Sequence, residues 1–111
     1  METTHPIKVK PVAFISQPMS GLTDEEIMAT KERATKKLTE MGYDVMNSFL
    51  TDYPLGVRNI PLGCLARSLS ILANCDAIYM VDGFMNARGC LIEERCAHDY
   101  GLKIIYESEV N

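Results

Sequence analysis

Asp76-Ala77-Ile78-Tyr79-Met80-Val81, followed by Asp82-Gly83 and then by Asn86-Ala87-Arg88-Gly89-Cys90-Leu91-Ile92-Glu93, decides the fold of this chain. The first run is almost continuously apolar and ends at a turn signal, the pattern of a strand buried on both faces. The second opens a helix, with Asn86 as N-cap, that runs to Tyr100 and stops at Gly101. Lys103-Ile104-Ile105-Tyr106 then reads as another strand. Strand, helix and strand at this spacing make a parallel crossover unit, whose hand is right-handed.

Upstream, the same alternation repeats. Residues 1–10 read as a polar, flexible lead-in, and residues 11–111 as one domain. Val12-Ala13-Phe14-Ile15 is a short buried strand, and Ser16 to Gly21 is a loop rich in breakers. Thr23 and Glu26 have the spacing of a capping box, so a helix begins there. Ile27, Ala34, Leu38 and Met41 mark its buried stripe, and Gly42 ends it. Residues 43–47 form a second strand. Residues 48–58 are the longest irregular stretch, of a length often given to function. Pro61 suits the first turn of a second helix, with Leu62, Leu65, Leu69 and Leu72 on one stripe. The fold expected is α/β: a single-domain, flavodoxin-like or Rossmann-like three-layer sandwich, with a parallel sheet of about four strands and helices on both faces.

The bulk composition narrows the function. With 111 residues there is room for one core, and 47% hydrophobic with 23% charged residues is ordinary for a globular protein. The net charge of −4 argues against a nucleic-acid polymer as partner. No apolar run reaches membrane-spanning length and the first residues lack a signal-peptide core, so a cytoplasmic protein with no membrane partner is expected. Cys64, Cys75, Cys90 and Cys96 form no paired motif, and His5 and His98 lie far apart, so the cysteines read as reduced thiols and neither metal nor cofactor is expected.

The chemistry concentrates around Glu93. It lies on the same side of its helix as Gly89 and Ala97, and it reaches over the carboxyl edge of the sheet, where open α/β sheets bind ligands. The amides of Arg88, Gly89 and Cys90 lack helical partners, and Gly89 lets a ligand approach the backbone. An ionised, positioned carboxylate of this kind can attack a sugar anomeric carbon. The plainer alternative is that Glu93 and Glu94 are solvated helix charges. Likewise, Ser16 and Gln17 offer polar contacts but also serve as turn formers, Ser68 flanks the leucine stripe, and Asp82-Gly83 is first of all a turn.

Four separated segments carry a further signal: Phe14 to Gly21, Gly42 to Val45, Cys75 to Tyr79, and Ala87 to Glu93 with Ala97 and Gly101 beyond it. Together they resemble a small, uncharacterised branch of the nucleoside 2-deoxyribosyltransferase-like proteins, across residues 12–107. The remoter similarity to the enzymes of that family rests on Gly89, Glu93 and Ala97, which satisfy a Gly-x-x-x-Glu-x-x-x-Ala pattern. The resemblance implies a homodimer or larger homo-oligomer that takes a nucleoside or nucleotide. It also implies Glu93 as nucleophile at C1′, through a covalent glycosyl-enzyme, in hydrolysis or deoxyribosyl transfer. Three expected groups differ. Phe14 stands where relatives carry a Tyr that bonds the Glu. Ser68 replaces an Asp that handles the leaving base, and Ala87 replaces an Asp or Ser near the sugar 5′ end. Arg88 beside it is a candidate for a phosphate, and Gly83 borders the expected cavity. Phe14, Ser68 and Ala87 favour a second reading, a non-catalytic nucleotide-binding module with a degenerate active site.

Overall fold

The computed structural model describes residues 9–46 and 56–111. Most of the expected lead-in and residues 48–55 of the irregular stretch lie outside the described residues. The elements are β1 (Val12–Ser16), α1 (Asp24–Glu40), β2 (Asp44–Met46), α2 (Ile60–Leu72), β3 (Ala77–Met80), α3 (Arg88–Asp99), β4 (Lys103–Tyr106) and a short α4 (Glu107–Val110). All strand pairs are parallel, in the order β2-β1-β3-β4. The order reverses between β1 and β3, so the carboxyl ends of these two strands flank the crevice where such sheets bind ligands.

Side-chain alternation along the strands divides the core in two. Ala13 and Ile15 of β1 join Ala77, Tyr79 and Ile105 against Ala34 and Leu38 of α1. Phe14 joins Ile78 and Met80 on the opposite face, against Leu72 of α2 and Cys90 and Ala97 of α3. All four residues of β3 are buried, as a strand covered on both faces requires. The helices therefore lie on both faces, and the flavodoxin-like sandwich is the observed architecture.

Local chemistry sets the helix ends. Thr23 Oγ1 accepts from the Glu26 amide and Glu26 Oε1 accepts from the Thr23 amide, each at 3.1 Å, which completes the capping box. After α1, Gly42 turns at φ 92°, the Tyr43 amide donates to the Leu38 carbonyl, and the Gly42 amide to that of Thr39. Gly101 repeats the arrangement after α3, with Leu102 bonded back to Ala97. Both are Schellman stops, for which positive φ favours glycine. Asn59 caps α2 by accepting from the Leu62 amide, and Pro61 sits in its first turn.

Two expectations change. Asn86 does not cap α3: Phe84–Asn86 form a 3₁₀ turn, and Ala87, extended at φ −119° and ψ 114°, becomes the N-cap without a side-chain bond. The Phe84 ring packs on Tyr106, centroids 5.7 Å apart, and this half-buried contact on the α2/α3 face holds the turn apart from the helix. The leucine stripe of α2 is also only partly interior. Leu72 is buried and Leu65 and Leu69 are half-buried, but Leu62 is 60% exposed, because the first turns of α2 stand beside a cavity rather than on the sheet.

Candidate functional site

Ser16 ends β1 with the parity of Phe14, so its hydroxyl points toward α3. There it donates to Glu93 Oε1 at 2.6 Å. Glu93 is 7% exposed and shares the buried stripe of α3 with Cys90 and Ala97. Among the described residues its second oxygen, Oε2, has no hydrogen-bond partner. No buried side-chain N or O among the described residues is left unsatisfied, so Oε2 is not sealed into the core. It faces a cavity of about 590 Å³, which Glu93 lines together with Gln17, Ser68 and the first turn of α3.

Burial dominates the electrostatics of this carboxyl and raises its pKa, while the Ser16 hydroxyl acts in the opposite direction by stabilising the anion. Burial likewise pushes the Cys90 thiol up, opposed by a hydrogen bond with Ser16 and reinforced by Glu93. Cys90, which also lines the cavity, is thereby held as a neutral thiol.

Gln17 is fixed from the other side. Its Nε2 donates to the Ile27 carbonyl at 3.0 Å, and the residue is only 8% exposed. The uncapped first turn of α3 adds amide donors at Arg88, Gly89 and Cys90. Arg88, exposed at the mouth, also borders a hollow of about 460 Å³ shared with Leu62 and Ile92.

Thus Glu93, Gln17, Ser68, Ala87, Arg88 and Gly89 meet at one cavity. Ser16 acts behind it, through Glu93. Phe14 lies 2% exposed in the core below, and Gly83, at φ 93° beside Pro18, does not line the cavity. Cys64, Leu65 and Asn86 are additional lining residues. Another hollow, of about 510 Å³, lies between the later turns of α2 and α3. Among the described residues it is lined by Leu69, Leu72, Ala73, Cys96, Tyr100 and Leu102, with no carboxylate, cationic or carboxamide side chain. Among the described residues no cluster of three or more His, Cys, Asp or Glu is placed to hold a metal, and no helix is long and apolar enough to cross a membrane.

One buried acid escaped the sequence reading. Glu107, 1% exposed at the end of β4, accepts from Arg33 Nε at 3.0 Å, from the Asp82 amide at 2.9 Å and from the Tyr79 hydroxyl at 3.5 Å. Burial alone would raise its pKa, but Arg33 and the Asp82 amide outweigh that and hold it below the ordinary value. It lies on the α1 face and ties the Asp82 loop, which leads into α3, to α1. An acid directly after the strand Lys103–Tyr106 was the one available signal.

A family described as Domain of unknown function (DUF4406) matches residues 11–106 of the chain. No curated protein and no solved structure matches it.

Proposed function

The chain belongs to the DUF4406 family, and from that premise we propose that it cleaves the N-glycosidic bond of a nucleoside or nucleotide, with Glu93 as nucleophile. The observation that carries this reading is a buried carboxylate, oriented by Ser16 through one oxygen, whose other oxygen opens into a cavity at the switch point of the sheet. Glu93 Oε2 forms a bond to C1′ as the C1′–N bond breaks, and the electron pair leaves with the base, which takes a proton from water. Water or a second base then attacks C1′ and releases Glu93, so hydrolysis and glycosyl transfer share the first step. Among the described residues Glu93 is the single carboxylate lining the cavity, which suits double displacement better than an inverting pair of acids.

The resemblance to nucleoside 2-deoxyribosyltransferase-like proteins supports the same residue. Ser16 supplies the hydrogen bond that Phe14 lacks, one alternation further along β1. Arg88 and the uncapped amides beside it suit a phosphate, and so a nucleotide. A homo-oligomer working in the cytoplasm completes this reading. Ile60 and Leu62, 47% and 60% exposed next to the site, offer apolar surface for a second copy.

Phe14, Ser68 and Ala87, which lack the groups expected of the enzymes, favour a second reading, a nucleotide-binding module without turnover. One experiment separates the two. The protein is incubated with nucleosides, their 5′-monophosphates and free bases, and released base is followed by chromatography beside Glu93→Gln. Base release that Glu93→Gln abolishes is the expected result. Ligand-induced thermal stabilisation without release supports the binding module, and release indifferent to Glu93→Gln overturns the mechanism.

A further inference from the structure

Resting on that proposed reaction, we infer that Tyr106 is a positioning residue for Glu93, and that its bond to Glu94 fixes the rotation of α3 that aims the nucleophile. Two consecutive acids on this helix are held by two hydroxyls. Ser16, at the end of β1, donates to Glu93 Oε1 at 2.6 Å, and Tyr106, at the end of β4, donates to Glu94 Oε2 at 2.7 Å. β1 and β4 lie on either side of β3, so the two strand ends stand roughly 10 Å apart. Consecutive residues of a helix point about 100° apart around its axis. The two bonds therefore hold α3 from two sides, and rotation about its axis cannot keep both.

Apolar packing defines that rotation only loosely. The buried stripe of α3 is Cys90, Glu93 and Ala97, which present a thiol, an acid and a methyl group. Side chains this small make low ridges against the sheet. Tyr106 is itself well anchored. Its ring lies on Phe84, centroids 5.7 Å apart, and the next residue, Glu107, accepts from the Asp82 amide at 2.9 Å. The end of β4 thus holds the connection that leads into α3 as well as the helix. The bond to Glu94 is the first cause that pushes the Tyr106 hydroxyl up to about 12, so near neutral pH it remains a protonated donor. A side-chain end lies roughly 5–6 Å from the helix axis, so a turn of about 10° moves it about 1 Å. A displacement of that size at a reacting atom can cost about a hundredfold in rate. Tyr106 stands outside the lining of the cavity, and its effect reaches the substrate through Glu93.

The test measures base release from nucleoside 5′-monophosphates by wild type, Tyr106→Phe, Glu94→Leu, Glu94→Gln, the double variant Tyr106→Phe/Glu94→Leu and Glu93→Gln. Tyr106→Phe keeps the ring on Phe84 and removes the hydroxyl alone. It is expected to lower kcat by roughly tenfold or more while KM stays within about twofold. Glu94→Leu should match it, and the double variant should fall no further than either single one, because all three lose the same bond. Glu94→Gln keeps a carbonyl oxygen for Tyr106 and should retain most of the wild-type kcat. Rates are divided by the folded fraction from circular dichroism, so that lost protein is not counted as lost positioning. A wild-type kcat in Tyr106→Phe, with or without a change in KM, overturns this inference and leaves the proposed reaction intact. A loss in Glu94→Gln as deep as in Glu94→Leu does the same. Base release that is absent from wild type, or untouched by Glu93→Gln, overturns the parent reading and this one with it.

Discussion

Ser16 Oγ and Glu93 Oε1 lie 2.6 Å apart across 77 residues of sequence, and this one bond joins the end of the central strand to the acid of α3. It stabilises the anion of a carboxyl that burial drives toward the neutral form. Removing the hydroxyl should therefore damage chemistry more than binding. Ser16→Ala is expected to lower kcat by roughly tenfold to a hundredfold with KM little changed, the usual worth of a hydrogen bond to a charged group. Its pH–rate profile should shift as well. The ascending limb, which reports ionisation of Glu93, should move to higher pH, and a limb that stays in place would disconnect Ser16 from Glu93.

Glu93→Gln should separate activity from stability. Loss of the nucleophile is expected to reduce turnover by at least about a thousandfold. The folded-state pKa of Glu93 is raised above 4.5, so its contribution to stability is fully present below pH 4.5 and is lost as pH rises through the folded value. Gln cannot ionise and escapes that loss. The variant should melt higher than wild type at pH 8 and at the same temperature at pH 4. Equal melting temperatures at both pH values would show that Glu93 is well solvated.

Glu107 carries the opposite sign. Its pKa is lowered by its partners, so its stabilisation is present above pH 4.5 and is lost as pH falls through the folded value. Glu107→Leu leaves the Asp82 amide and Tyr79 hydroxyl without an acceptor and should cost about 1–3 kcal/mol near neutral pH. Arg33→Met should cost less, at most about 1 kcal/mol, because the Arg33 side chain is 56% exposed and screened by solvent. Denaturation by urea at pH 7 and pH 3 measures both, and the difference between wild type and Glu107→Leu should shrink at the lower pH.

Arg88→Ala tests the phosphate. The exposed guanidinium at the mouth should matter for charged ligands alone, raising KM for 5′-monophosphates about tenfold while leaving nucleosides unchanged. An equal effect on both ligand classes would remove Arg88 from phosphate recognition.

How much of this was legible in the sequence depended on the range of the interaction. Thr23 with Glu26, Gly42 and Gly101 are local devices, and each appears as read. β1 and β3 were legible because burial on both faces leaves a continuous apolar run. Asn86 was misread because a good cap residue was outweighed by Phe84 packing on Tyr106, a contact made across the fold. Glu93 was visible from its helical register with Gly89 and Ala97. Its partner was not: whether Ser16 points toward α3 or α1 depends on strand parity and on which helix covers which face. Glu107 was hidden for a similar reason. Arg33, Tyr79 and Asp82 reach it from three other parts of the chain, and no local pattern marks an acid satisfied in that way.

The place of β1 in the strand order has a consequence for synthesis. β1 is made before β2 and β3 yet lies between them in the sheet. As the chain leaves the ribosome, β1, α1 and β2 can assemble early, while the second edge of β1 stays open until Ala77–Met80 emerge. Through that interval an apolar strand presents unpaired amides and carbonyls. A nascent chain halted before residue 77 is thus expected to be held by chaperones or to aggregate, whereas one extended past Tyr106 closes the ladder and is released as a folded domain.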